Sequence, residues 1–337
     1  MDYVSGEILT EYGLQKGYLG FEKNKIIERG KGPSPKKPIC KGLIVPTFVN
    51  AHTHIGDSFI RKKEIKLPKN VEALVAPPHG LKHRLLNEAS EKEIIDGMKE
   101  SLDIMKKTGT SCFCDFRENG IRGINQLKNA LKNTTISSVI LSRPKQLKYD
   151  KDEIELLLKN SQGIGASSIS DWEYPELMKV AKHVKKRKKI FGIHASERSR
   201  EDIDLILDLK PDFLVHMIYA NDNDFERVND NNVPVIICPR SNTFYGLKPN
   251  LKLLKKHKID LLVGTDNAML NPPNILDEIS HLKTISKEFS ILELLHAITY
   301  APRKALNLDD CILASNSKAE FTVLDKKYLR ALYISAY

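Results

Sequence analysis

Eight short apolar runs, separated by longer amphipathic stretches, recur along the chain from about residue 42. They fall at 43–50, 110–116, 136–142, 163–168, 190–194, 213–217, 233–238 and 260–264. Helical patterns lie between them at 90–107, 121–132, 151–160, 174–187, 200–208, 222–230 and 249–257, and two more follow at 274–287 and 290–305. Strands that are apolar throughout are buried on both faces, and strands alternating with helices pair in parallel. The pattern predicts an α/β protein built as a (β/α)8 TIM barrel. The helix at 90–107 carries its own boundary signals. Ser90-Glu91-Lys92-Glu93 is a capping box, and Gly109 follows the last turn.

The first 41 residues do not fit this repeat. Gly17-Tyr-Leu-Gly-Phe and Lys25-Ile-Ile-Glu-Arg-Gly-Lys-Gly read as short strands joined by polar turns, and 318–325 reads as another. Residues 1–41 plus 312–337 are therefore expected to form a small flanking β-sandwich module, with 42–311 as the barrel. The segment 55–89, which holds Pro68, Pro77, Pro78 and Gly80, follows the first barrel strand directly. A connection that long on a barrel's functional face reads as a lid or substrate loop.

Composition excludes several classes. No apolar stretch reaches the roughly 18 residues a membrane span needs. The N-terminus, Met-Asp-Tyr-Val-Ser-Gly-Glu, lacks the regions of a signal peptide, so a cytoplasmic location is expected. The five cysteines show no disulfide-framework spacing. Cys112 and Cys114 could present two thiols on one strand face, but inside an apolar run they read as small buried side chains. The net charge of +10 comes from lysines scattered over many helices without interleaved aromatic residues. Such a surface does not predict a nucleic-acid partner. A small-molecule substrate is expected, with a homo-oligomer possible.

The ends of the apolar runs carry the chemistry. His52 and His54 are two apart, so both imidazoles leave their strand on one face. Two neutral imidazoles that close make half of a divalent-metal site. His194 ends Ile190-Phe-Gly-Ile-His, with Glu197 three residues on. His216 ends Phe213-Leu-Val-His, and Asp266 ends Leu261-Leu-Val-Gly-Thr-Asp. Taken singly, each has a plainer reading: His216 as a hydrogen-bonded core histidine, Asp266 as a helix N-cap, Glu197 as a surface carboxylate. Taken together, all six lie where a barrel gathers its catalytic groups, at the carboxyl ends of strands. The first and eighth strands of a closed barrel are neighbours, so His54 and Asp266 can meet.

Val45-Pro-Thr-Phe-Val-Asn-Ala-His-Thr-His54, His194-Ala-Ser-Glu197, Cys238-Pro-Arg-Ser-Asn242 and Gly264-Thr-Asp266 resemble the amidohydrolase superfamily. The similarity is to its cytosine deaminase-like and chlorohydrolase-like branch, which includes deaminases of purines and adenosine derivatives. It spans roughly residues 17–325. Thr47 stands where that branch usually has Gly, and Asn267-Ala268 replaces its commoner Gly or Ser. The resemblance implies that His52, His54, His194 and Asp266 bind one Zn²⁺ or Fe²⁺. It also implies that Glu197, His216 and Asp266 are the catalytic groups. Binuclear members use a modified lysine at the end of the fourth strand. The stretch Gly163-Ile-Gly-Ala-Ser-Ser-Ile-Ser-Asp171 has none, so a single ion is expected.

The implied reaction is hydrolytic deamination of an amino-substituted N-heterocycle by metal-activated water. Hydrolysis of a cyclic amide, or of another C–N or C–Cl bond, is the alternative at the same site. An inactive barrel acting as a binding protein is the alternative from another class. For substrate contacts, Arg143 and Arg117 follow strands and could hold a carboxylate or phosphate. Asn242 could read a heterocycle edge, and His79 and His83 lie in the long loop.

Overall fold

The computed structural model describes residues 1–335. The chain opens with strands β1 (Asp2–Thr10), β2 (Gly13–Glu22), β3 (Lys25–Lys31) and β4 (Cys40–Pro46). There follow β5 (Phe48–His54), β6 (Thr110–Arg117), β7 (Ser137–Ser142), β8 (Gly163–Ala166) and β9 (Ile190–Ala195). Then come β10 (Phe213–His216), β11 (Val235–Ile237), β12 (Leu261–Val263) and β13 (Asp266–Asn267). The chain finishes with β14 (Phe321–Leu324) and β15 (Ala331–Ile334). Two sheets hold them all.

The larger sheet is parallel, in the order β12-β11-β10-β9-β8-β7-β6-β5-β13, with helices on its outer face. β12 and β13 are one strand bent at Gly264-Thr265. β12 pairs with β11, whereas β13 pairs with β5 through Asp266↔Thr53 and Asn267↔His54. Between them the Thr265 N–H donates to the His52 carbonyl at 3.0 Å. The bend closes the barrel. Gly264 makes it possible, since a Cβ there would lie 2.7 Å from both Cβ and the carbonyl oxygen of His52.

The smaller sheet is mixed, in the order β15-β14-β4-β1-β2-β3, so both termini contribute to it. It encloses its own core of Val4, Ile8, Leu19, Phe21, Ile26, Ile44, Phe321 and Val323. Positions 336 and 337 of the expected module lie outside the described residues. The run 43–50, read as one barrel strand, is divided. Residues up to Pro46 pair with β1 and β14, and the barrel strand starts at Phe48.

The helix Glu91–Lys107 has the expected capping box, with both reciprocal bonds between Ser90 and Glu93 formed. The stretch 290–305 is two helices, Ile291–His296 and Tyr300–Ala305, rather than one. The segment after β5 is largely helical: a 3-10 helix at Ile55–Lys63, then helices Val71–Val75 and Leu81–Glu88. Among the described residues no helix is long and apolar enough to cross a membrane.

Candidate metal centre

Phe116, near the end of β6, forms the floor of the barrel's carboxyl end. Its ring meets His52 edge-on at 4.5 Å between centroids and His194 at 5.1 Å. Gly165 on β8 leaves room for it, because a Cβ there would sit 2.6 Å from the ring. Above this floor the strand ends bring together His52, His54, His194, His216 and Asp266, all buried. The ligating atoms of His52, His54 and Asp266 lie within 4.8 Å of one another, as do those of His52, His194 and His216. Glu197, His216 and Asp266 form a third such group. His52 thus joins His194 to the His54–Asp266 pair.

Hydrogen bonds fix which ring nitrogen His54 and His194 offer. His54 Nδ1 lies 2.8 Å from Glu118 Oε1, and His194 Nδ1 lies 2.9 Å from the Ala166 carbonyl. These oxygens accept, so both Nδ1 atoms carry the proton and both Nε2 lone pairs face inward. His52 is fully buried, and neither of its ring nitrogens has a hydrogen-bond partner. An orphaned imidazole is expensive in an apolar site unless something else engages it.

Asp266 Oδ1 is 3.4 Å from His52 Nε2 and 3.6 Å from His54 Nε2. Donors about 2.0–2.2 Å from a tetrahedral ion stand about 3.3–3.6 Å apart, so these separations suit a first-row divalent cation. The donor set of imidazole nitrogens with one carboxylate oxygen fits zinc or ferrous iron equally. His52, His54, His194 and Asp266 could hold the ion.

Electrostatics sort the titratable groups. Burial carries His52 and His194 below the usual imidazole value. Burial, with the Lys82 cation, brings His54 to about 3. All three are ready to act as neutral ligands. Burial would raise Asp266, but the His52 imidazole 3.4 Å away and the neighbouring His216 and His54 hold it well below the carboxylate range. Ser241 Oγ donates to its other oxygen at 2.5 Å. Glu197 goes the opposite way: burial raises it and Asp266 adds to this, against His216. One carboxylate is thus ionised and its neighbour inclined to keep a proton.

His216 lies between them. Its Nε2 is 3.5 Å from Glu197 Oε1, and the Asn242 amide N–H faces its Nδ1 at 3.4 Å. His216 and Asp266 both have left-handed backbone, at φ 80° and 58°. The strand ends are bent to aim these two side chains inward, a conformation costing of order 1–3 kcal/mol per residue.

Over this cluster lies a cavity of about 40 Å³, partly open to solvent, with Val71, Val75, Ala76 and Pro77 of the long segment along its roof. Arg143 and Lys82 also line it. Arg143 is buried and its Nε has no hydrogen-bond partner. Arg117 does not reach the mouth. It is buried against Asp115 at 3.6 Å and Glu118 at 2.5 Å. Asn242 is fully buried against His216, on the side of the ring away from Glu197. His83 reaches back to the Val75 carbonyl at 3.1 Å, and His79 is exposed. Cys112 and Cys114 are buried free thiols that burial pushes up.

Sequence reasoning missed Glu118, Lys82 and Ser241, which hold the site's residues in place. It also missed Glu201, which accepts the Ser196 N–H at 2.7 Å and so ties down the turn bearing Glu197. Glu118 follows Arg117 at a strand end, the one signal that could have exposed it.

The amidohydrolase family model matches residues 43–335. An uncharacterized protein of Methanocaldococcus jannaschii is 37% identical, over 95% of this chain and 85% of its own length. A 5-methylthioadenosine/S-adenosylhomocysteine deaminase of Caldicellulosiruptor saccharolyticus is 27% identical, over 82% of this chain and 68% of its own. Among solved structures, an adenosine deaminase from Xanthomonas campestris with bound zinc superposes at a TM-score of 0.77. It is 15% identical and the match covers 99% of this chain and 91% of that one, a likeness of fold.

Proposed function

The chain belongs to the amidohydrolase family, and on that premise we propose that it is a divalent-metal-dependent hydrolase. Its reaction is removal of ammonia from an amino-substituted nitrogen heterocycle of the nucleobase or nucleoside kind. The observation that carries this reading is the convergence of Glu197, His216 and Asp266, with Glu197 Oε1 3.5 Å from His216 Nε2, beside the unpartnered His52. The deaminases among its relatives and fold neighbours support the choice of reaction.

His52, His54, His194 and Asp266 would hold one Zn²⁺, with Fe²⁺ the alternative. When bound, the ion supplies a Lewis acid and lowers the pKa of a water from about 16 toward 7. The residues do the rest. Asp266, kept ionised, accepts the proton of the attacking water. His216 presents its Nε2 side to that water, orients it and stabilises charge on the adduct. Glu197 gives its proton to a ring nitrogen, which makes the adjacent sp² carbon electrophilic. It then takes the adduct's hydroxyl proton as the carbonyl forms and passes it to the departing amine, which leaves as ammonia, and the proton held by Asp266 restores Glu197. Arg143, a buried guanidinium at the wall, would hold an anionic substituent on the substrate.

Ammonia release from a panel of purine nucleosides, pterins and pyrimidines, with zinc-loaded protein, tests the reaction. Glu197→Gln is expected to keep its metal and lose about 10²–10⁴-fold in turnover. Full activity in that variant would refute the proton-shuttle role. A panel that yields no ammonia while a cyclic amide is opened would replace deamination by ring hydrolysis.

A further inference from the structure

Lys82 is the second residue of helix Leu81–Glu88, part of the segment that roofs the cavity, yet its side chain is only 3% exposed. Its Nζ lies 2.6 Å from Glu118 Oε1, 2.9 Å from Asn267 Oδ1 and 3.5 Å from Asp57 Oδ2. A lysine is almost never so buried unless its charge is matched. Two of these partners lead to metal-ligand positions. Glu118 Oε1 also accepts from His54 Nδ1 at 2.8 Å, and Asn267 pairs with His54 in the closing ladder, one residue after Asp266. One oxygen therefore joins a cation carried by the roof to the His54 ring at a strand end.

The roof is where a bound substrate meets this network. Val71, Val75, Ala76 and Pro77 line the cavity together with His54, His194 and Asp266, so a substrate bound there touches the roof. Helix Val71–Val75, which carries two of them, packs on helix Leu81–Glu88, which carries Lys82. Lifting one draws on the other.

We propose that Lys82 is a positioning residue through which closure of the roof sets His54. With the roof down, Lys82 seats on Glu118 Oε1 and holds the carboxylate where it accepts from His54 Nδ1 and turns Nε2 toward Asp266. With the roof lifted, Glu118 keeps Arg117, His54 loses part of its support, and the centre relaxes. Closure over a substrate and completion of the ligand set are one event. This rests on the metal-centre reading but not on the identity of the reaction, so the test reads metal binding.

Zn²⁺ affinity is measured by chelator competition, and the visible absorption of Co²⁺-loaded protein is recorded, for wild type, Lys82→Met, Leu74→Ala and the double variant. Leu74 is fully buried in the roof helix and touches neither lysine nor ligand by any hydrogen bond. Lys82→Met is expected to weaken Zn²⁺ binding about 10–100-fold, as loss of an outer partner does at other metal sites, and to change the Co²⁺ spectrum. Leu74→Ala should move both readings in the same direction, and the double variant should bind no worse than Lys82→Met. Wild-type affinity and spectrum in Lys82→Met would overturn the proposal, as would losses that multiply in the double variant. Should Lys82→Met fail to fold, Leu74→Ala at wild-type affinity overturns it. Normal metal coupling with no ammonia from any substrate would instead count against the reaction proposed above.

Discussion

Burial pushes every carboxylate around this centre toward the protonated state, and the neighbours decide which of them yield. Asp266 and Glu118 sit among imidazoles and cations and stay ionised. Glu278 does not. It is fully buried on the helix after the eighth strand and is pushed up to about 8 by burial, although the Arg240 N–H donates to it at 2.9 Å. Between its ordinary 4.5 and about 8 the folded protein holds a proton there that the unfolded chain releases. This group's stabilisation is complete below 4.5 and is lost as pH rises through 8, by up to about 1.4 kcal/mol per pH unit. Urea unfolding of Glu278→Gln, which keeps the bond to Arg240, should therefore vary less steeply from pH 5 to 8 than wild type. Parallel profiles would contradict this. The six site residues at strand ends were legible because barrel topology dictates where such residues point. Lys82, Glu118 and Ser241 were not, since their roles depend on partners 36, 64 and 25 residues away. No local pattern records those pairings.

Among the elements, the eighth strand bears the most constraint per residue. Its bend at Gly264 brings Asp266 to His54 by running backbone against backbone. Gly264→Ala would press a methyl group onto the His52 backbone, with N and O at 2.8 and 2.7 Å. That overpacking should cost about 1–3 kcal/mol, read as a lower urea midpoint at unchanged slope. A midpoint equal to wild type would mean that the closing contact is looser than described. The eight-unit repeat was readable because each strand is apolar for most of its length. The split of 43–50 was not, because both halves are buried on both faces and differ only in their non-local partners. Thr47, between them, donates its N–H to Glu320 in the second sheet's return segment. The break of 290–305 was readable in principle. Pro302 lacks the N–H a helix interior needs, and it sits in the first turn of the second helix.

For the whole molecule, the closed barrel turns residues more than 200 positions apart into neighbours around one centre. His52 and Asp266 come from opposite ends of the repeat, yet their polar atoms are 3.4 Å apart. The smaller sheet joins β4, directly before the first barrel strand, to β14 near the other end of the chain. The scattered lysines play no part in this convergence; of the lysines only Lys82 lines the cavity. His52, His54, His194 and Asp266 would together hold a single divalent cation, and metal stoichiometry decides whether they do. The protein is loaded with Zn²⁺, freed of excess by gel filtration and assayed by mass spectrometry of the elements, beside His194→Ala. One equivalent per chain in the wild type, and none in the variant, is the predicted result. Two equivalents per chain, or a wild type that retains none, would contradict it.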